Sequence, residues 1–243
     1  MPRASYTFKS LNRAIGKAIH RYDMIQDGDR ILVGLSGGKD SMTLLWSLVE
    51  RRRRAPIDYQ LWGVYVDPGF EDSIGPQLRD YGRAMGWDLR VECGDHGVVA
   101  HSKVNRENPC FFCSRARRRR LFETAEKLGC NKVALGHNKD DLIETLFINI
   151  CYGGEIATMA PCQAFFQGKF VVIRPLAFAD EELIERFARE RRMPLFQNPC
   201  PTAGVSKRTE IKHMLHQLYR CNRKVRGNIF HAMGNVKLDY LLK

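Results

Sequence analysis

The 243-residue sequence has no run of about 18 or more consecutive apolar residues, the length a membrane-spanning helix needs. Its opening stretch, MPRASYTFKSLNR, lacks the apolar segment of a secretory signal. A cytoplasmic protein with no membrane partner is therefore expected. Internal repeats, low-complexity tracts and an obvious linker are also missing, so the chain reads as one large domain or one domain with an appendage. Acidic residues are scarce beside basic ones, 27 Asp and Glu against 39 Lys and Arg. The basic excess gathers at Arg51 to Arg54, at Arg115 with Arg117 to Arg120, and at Lys207, Arg208, Arg220, Arg223, Lys224 and Arg226. Any one cluster is compatible with a solvated helix face. Three together point to a polyanion, RNA or DNA. Eight cysteines in a reducing compartment do not form a disulfide framework, which leaves metal or redox chemistry to be weighed for each.

With 44% hydrophobic residues the chain can bury a sizeable core. Leu11, Ile15, Ala18, Ile19 and Tyr22 fall at helical spacing, and the apolar run Ile31 to Leu35 reads as a first strand. Leu61 to Val66 predicts a second strand, Gln77 to Met85 a helix, and Asp88 to Cys93 a weaker third strand. Ser114 to Leu128 reads as helix, Lys132 to Leu135 as strand and Asp140 to Ile150 as helix. Phe170 to Ile173 predicts the last strand, and helices follow around Glu181 to Arg192 and Thr209 to Arg220. Strands alternating with helices imply right-handed crossovers, hence an α/β, doubly wound, mainly parallel five-stranded sheet with an N-terminal helix and a C-terminal helical extension. The expected divisions are 1–27, 28–178 and 179–243. Such sheets bind ligands beyond the carboxyl ends of their strands, where Ser36 to Ser41, Asp67 and Gly136 to Asp141 would converge.

The stretch Ser36-Gly37-Gly38-Lys39-Asp40-Ser41 follows the first strand and opens a helix. Backbone N–H groups without intrahelical partners, together with the helix dipole, make that turn a natural seat for a phosphate. It is neither a Walker A loop, because Asp40 follows Lys39, nor a G-x-G-x-x-G dinucleotide loop. Ser36 and Ser41 hydroxyls, the Lys39 ammonium, and Asp40 placed to hold Mg2+ suit pyrophosphate as a leaving group. In Gly136-His-Asn-Lys-Asp-Asp141, Asn138 can cap the next helix, and Asp140, Asp141 and Glu144 complement its dipole. Alternatively, Asp140 holds metal or orients the attacking group while Asp141 is structural.

SGGKDS after a buried strand resembles the PP-loop of ATP pyrophosphatases, enzymes of HUP-like fold that cleave ATP between the α and β phosphates to adenylate a substrate. The resemblance implies ATP as cofactor, with Asp67, Gly136 and His137 near its adenosine. Cys110-Phe-Phe-Cys113 taken alone fits a redox dithiol, half of a zinc site or part of an iron–sulfur site. With no second C-x-x-C present, a four-cysteine zinc finger is disfavoured. Cys130 and Cys151 sit in helical or apolar contexts, and Cys93, Cys162 and Cys221 have no partner at ligand spacing. Cys200, framed by prolines, completes a set of three with Cys110 and Cys113.

The chain is closely similar to one PP-loop branch, the tRNA 2-thiocytidine synthetases (TtcA family), through LNRAIGKAIHRYDMIQDGDRILVGLSGGKDS, PCFFCSR, KVALGHNKDDLIETLFINICYGG, VIRPLAF and the Cys200 loop. The resemblance implies a [4Fe-4S] cluster on Cys110, Cys113 and Cys200 and ATP-dependent 2-thiolation of cytidine 32 in tRNA. It further implies sulfur from a cysteine desulfurase or other donor, and a homodimer. The chain departs from some relatives in having no second cysteine beside Cys200. Competing readings are thiolation of another base to 2-thiouridine, a cluster-free persulfide thiolase, a PP-loop ligase, and a basic RNA-binding module with a structural metal. Arg115, Arg117, Arg118, Arg119 and Arg120 are the expected tRNA contacts. Phe111 and Phe112 would pack, shield the cluster or stack a base.

Overall fold

The computed structural model describes residues 5–196, 200–201 and 207–241. In chain order the elements are α1 (Tyr6–Arg21), β1 (Asp29–Leu35), α2 (Lys39–Arg52), β2 (Tyr59–Val66), α3 (Gly75–Met85), β3 (Leu89–Glu92), α4 (His96–Ala100), α5 (Pro109–Lys127) and β4 (Lys132–Leu135). There follow α6 (Lys139–Ile148), a π-helical turn (Asn149–Gly153), β5 (Cys162–Phe165), β6 (Phe170–Ile173), α7 (Glu181–Glu190), α8 (Lys207–Cys221), α9 (Val225–Ala232) and a final 3-10 turn (Leu238–Tyr240).

Among the described residues the strands form one sheet in the order β3-β2-β1-β4-β6-β5, parallel throughout except for β5. Side-chain alternation on β1 separates the two layers. Ile31, Val33 and Leu35 join a core with Leu11 and Ile15 of α1, Leu44 and Leu48 of α2, and Ile184 and Phe187 of α7. Leu32, pointing the other way, joins Val64, Val133 and Val172 under Leu121, Phe122 and Ala125 of α5. A strand buried on both faces by helices is what the parallel connections require. The expected doubly wound α/β class is thus borne out.

Three expectations are corrected. Among the described residues the sheet has six strands instead of five, because β5 turns back on β6 as an antiparallel edge hairpin. Its tip places Phe166 (φ 52°), Gln167 (φ 55°) and Gly168 (φ 90°) in the left-handed region. Two of those three residues are not the Gly or Asn that normally announce such a turn. Helix α5 begins at Pro109 instead of Ser114, so the C-x-x-C opens a helix instead of preceding it. Asn108 causes this: its Oδ1 accepts from the N–H of Cys110 at 3.0 Å and of Phe111 at 3.3 Å, with Pro109 at the first helical position.

The third correction concerns the divisions. One compact unit comprises Met1–Asn138 and Ala160–Ala203, the other Lys139–Met159 and Gly204–Lys243. The expected boundary at 178/179 fails because α7 packs on α1 and α2 through Phe187, Trp46 and Phe8. In the second unit α6, α8 and α9 pack around Ile143, Ile211 and Leu215. Arg208 clamps that unit, donating Nη1 to Asp141 and Glu144 at 3.1 Å each and Nη2 to Thr145 at 3.3 Å. No helix of the described residues is long and apolar enough to cross a membrane.

Candidate active site

The turn between β1 and α2 is built by its own side chains. Ser41 Oγ accepts the N–H of Ser36 at 3.1 Å and donates to the Gly38 carbonyl at 3.1 Å, while Ser36 Oγ lies 3.2 Å from Ser41 Oγ. Gly37 sits at φ +78°, a conformation that demands glycine, and a Cβ there would also press on Ile74 Cδ1 at 2.5 Å. Gly38, the residue before α2, provides no side-chain cap. The first N–H groups of α2 are therefore left for an anion, where the dipole favours one.

The loop after β4 lies directly on this turn. A Cβ on Gly136 would meet Ser41 N at 2.9 Å and Asp40 C at 3.1 Å, backbone against backbone. Two residues on, buried Asn138 donates Nδ2 to Asp40 Oδ1 at 2.9 Å, fixing the carboxylate. Lys39 Nζ lies 2.9 Å from Glu181 Oε1, at the start of α7, and 3.4 Å from Asp40 Oδ2. Burial by itself would lower the Lys39 pKa. Asp40 and Glu181 outweigh burial and raise it, so the ammonium is firmly charged. His137 Nδ1 accepts from Arg174 Nε at 3.2 Å, which puts the proton of a neutral ring on Nε2.

Asp67 stands at the end of β2, as expected, and organises its own loop: Oδ1 accepts from Gly69 N–H at 2.9 Å and Oδ2 from the Ser73 hydroxyl. Asp140 lies in the second unit, where Arg226 Nε is 3.3 Å from its Oδ1. The first unit thus gathers Ser36 to Ser41, Asp67, Gly136 and His137 at the carboxyl ends of β1, β2 and β4. Asp140 belongs to the other.

All eight cysteines are free thiols. Cys110 and Cys113, three residues apart, share one face of the first turn of α5. Burial raises the Cys113 pKa, Arg117 opposes this, and charges on Cys200 and Cys110 raise it further. Cys113 therefore lies near both of the other sequence-selected thiols, Cys110 and Cys200. Cys200 Sγ is 4.0 Å from His101 Nε2, and His101 Nδ1 is 2.8 Å from the Gly97 carbonyl. No group of three or more His, Cys, Asp or Glu among the described residues converges to hold a single metal ion. In a cluster each thiolate takes its own iron, so convergence on one point is not required.

The arginines of α5 divide into two sets. Arg115 pairs with Glu107 at 3.0 Å and lies over Phe111 and Phe112. Arg119 pairs with Glu123 at 2.9 Å, and Arg120 reaches Glu123 at 3.5 Å and Glu92 at 3.7 Å. For Arg117 and Arg118 no described carboxylate is a partner. Arg117 instead lies near Cys113, Tyr65 and buried His96, whose pKa is lowered by burial and by Arg117. The Arg51 to Arg54 cluster is local packing: Arg53 and Arg54 pair with Glu50, Arg51 Nη1 donates to Asn12, and Arg54 lies over Phe8. Sequence reasoning missed Glu181, Arg174, His96 and His101, none of which stands at a telling spacing from the motifs.

The PP-loop domain family matches residues 8–218. A tRNA-cytidine(32) 2-sulfurtransferase of Geobacter sulfurreducens is 39% identical over 238 residues, 97% of this chain and 93% of that one. The chain belongs to the PP-loop family, in its tRNA-cytidine(32) 2-sulfurtransferase branch. A protein of the same name from Syntrophotalea carbinolica is 40% identical over 242 residues, 97% of this chain and 92% of its own. Among solved structures, the U34-tRNA thiolase NcsA from Methanococcus maripaludis with its [4Fe-4S] cluster is similar at a TM-score of 0.78 and 22% identity, covering 97% of this chain and 80% of that one. At that identity the likeness speaks to the PP-loop fold.

Proposed function

We propose that this PP-loop protein is an ATP-dependent tRNA sulfurtransferase that converts cytidine 32 to 2-thiocytidine. ATP adenylates the C2 oxygen with release of pyrophosphate; a sulfide-level sulfur then forms the new C–S bond as the C–O bond breaks and AMP departs. The observation that carries this reading is the presence, in one compact unit, of an uncapped glycine turn shaped for an anion and of Cys110, Cys113 and Cys200 as reduced thiols, the first two on one turn of α5. The relatives' shared name supplies the substrate.

In this reading the first N–H groups of α2 and the Lys39 ammonium hold the phosphates, with Ser36, Gly37, Gly38 and Ser41 shaping the turn. Asp40, oriented by Asn138, holds Mg2+. Asp67, Gly136 and His137 border the nucleotide, and Asp140 assists at the metal or the attacking group. Arg115 and Arg117 to Arg120 receive tRNA phosphates. Cys110, Cys113 and Cys200 fit a [4Fe-4S] cluster, with two donors on one helical turn, a third from a distant loop, and no disulfide among them. Such a cluster, when bound, supplies an iron open to a small sulfur nucleophile. A cysteine desulfurase or similar donor provides the sulfur, and the protein works in the cytoplasm as a homodimer.

The test is anaerobic purification of wild type and Cys200→Ala, with absorption spectra, iron and sulfide counts, and nucleoside mass spectrometry of tRNA incubated with ATP and sulfide. Bound iron lost in the variant, and 2-thiocytidine formed by wild type alone, are expected. Equal iron in both proteins removes Cys200 from the ligand set. Formation of 2-thiouridine instead changes the target base.

A further inference from the structure

Arg174 ends β6 in the sequence Ile173-Arg174-Pro175. The residue is buried, 7% exposed. Nε donates to His137 Nδ1 at 3.2 Å and Nη1 donates to the Ala160 carbonyl. Among the described residues nothing engages Nη2, and no carboxylate pairs with this guanidinium. A buried guanidinium without a counter-charge is unusual, because arginine keeps its proton and its desolvation is normally offset by an acid.

A second guanidinium compounds the cost. Burial pulls the Arg174 pKa down to about 10, and the charge of Arg118, exposed on α5, lies near enough to add to that fall. Arg118 too has no described carboxylate partner, whereas Arg115, Arg119 and Arg120 each have one. Two neighbouring arginines, one of them buried, with no described acid between them lack an anion. The residues bonded to Arg174 indicate where that anion sits. His137 belongs to the loop that packs, through Gly136, on the Ser36–Ser41 turn, so the unneutralised charge lies at the same end of the sheet as the anion cradle. A tetrahedral oxyanion with several acceptor oxygens matches the remaining N–H donors better than a neutral base edge does.

We propose that Arg174 and Arg118 form a second anion subsite, for a phosphate oxyanion, beyond the carboxyl end of β6. This rests on the ATP- and tRNA-dependent reading given above. The phosphate belongs either to the nucleotide or to the RNA backbone next to the target base; the chemistry at the arginines is the same. Arg174 has a further effect as a positioning residue, since its Nε bond sets the His137 tautomer.

The experiment uses the full chain as wild type, Arg118→Gln and Arg174→Lys, each checked by thermal unfolding. Three probes are titrated: α,β-methylene ATP, inorganic pyrophosphate and an unmodified tRNA transcript at several salt concentrations. Each substitution is expected to weaken at least one probe tenfold or more. Loss confined to the ATP analogue and pyrophosphate assigns a nucleotide phosphate. Loss confined to tRNA, with the salt slope flattened by about 0.9 per lost contact, assigns the RNA backbone. Arg118 is exposed, so its replacement should fold even if Arg174→Lys does not. Wild-type affinity of Arg118→Gln for all three probes overturns the subsite. Pyrophosphate binding that depends on Arg118, in a wild type that takes up no tRNA, would keep the subsite and overturn the tRNA reading instead.

Discussion

Replacing Gly136 by alanine tests whether the β4 loop and the phosphate turn are in direct backbone contact. The added methyl would lie 2.9 Å from Ser41 N, 3.1 Å from Asp40 C and 3.1 Å from Ser41 Cα. Gly136 is not at positive φ, so the cost is steric and not conformational. Overpacking costs about 1–3 kcal/mol, and the upper end applies where the opposing atoms are main chain and cannot rotate away. At roughly 2–4 °C per kcal/mol for a chain of this size, about 3 kcal/mol lowers the melting temperature by about 6–12 °C. Gly227 in α9 is the control: a Cβ there meets nothing within 4 Å, and Gly→Ala in a helix stabilises by roughly 0.5–1 kcal/mol. Circular dichroism melting of both variants and calorimetric titration with α,β-methylene ATP decide the matter. If Gly136→Ala melts within about 2 °C of wild type and binds the analogue equally well, the contact is not as described.

Glu181→Gln removes the charge that competes with phosphate for Lys39. The pair is partly exposed and worth about 0.5–1 kcal/mol, so binding of the ATP analogue should tighten roughly 2–5-fold; weaker binding would make Glu181 a support instead of a competitor. The His96 pKa is lowered by burial and Arg117, partly opposed by Asp95 and Asp67, so the unfolded chain takes the proton first. Stability should be unaffected by this group above pH 6.5 and fall below it by up to about 1.4 kcal/mol per pH unit, until the folded pKa is reached. Urea titrations at pH 5.5 and 7.5 should show that slope reduced in His96→Gln, and an identical slope in both proteins rules it out. Arg208→Met removes one charged partner from the buried Glu144 carboxylate and from Asp141, at a cost of about 1 kcal/mol after discounting for the exposure of Arg208. Hydrogen exchange should quicken in α6 and α8, and unchanged protection there would remove Arg208 from the clamp.

Much of the fold was legible because its determinants are local and repetitive. The strands β1, β2, β4 and β6 are short apolar runs, and the α1 stripe of Leu11, Ile15, Ala18 and Ile19 appears in the sequence as it does in the core. The Ser36–Ser41 turn was legible because glycine, a hydroxyl and a charge occur there together. What escaped depends on distant partners. Nothing near β5 announces that it pairs with β6, and the left-handed Phe166 and Gln167 disguise the hairpin. The start of α5 rests on the Asn108 cap and Pro109, a short polar signal set directly against the conspicuous cysteines. Glu181 and Arg174 lie 142 and 37 residues from the groups they touch, Lys39 and His137, a relation that sequence spacing does not carry. The second unit is assembled from two separated segments, which no contiguous division of the sequence could express.

The antiparallel β5 changes what the sheet offers to its surroundings. An open margin of β6 would present unsatisfied amides to any extended chain passing by. A four-residue flap folded back from the same hairpin consumes those groups and leaves an outer rim too short to template further pairing. Trimming the flap should therefore cost the protein its solubility before it costs the nucleotide site its shape.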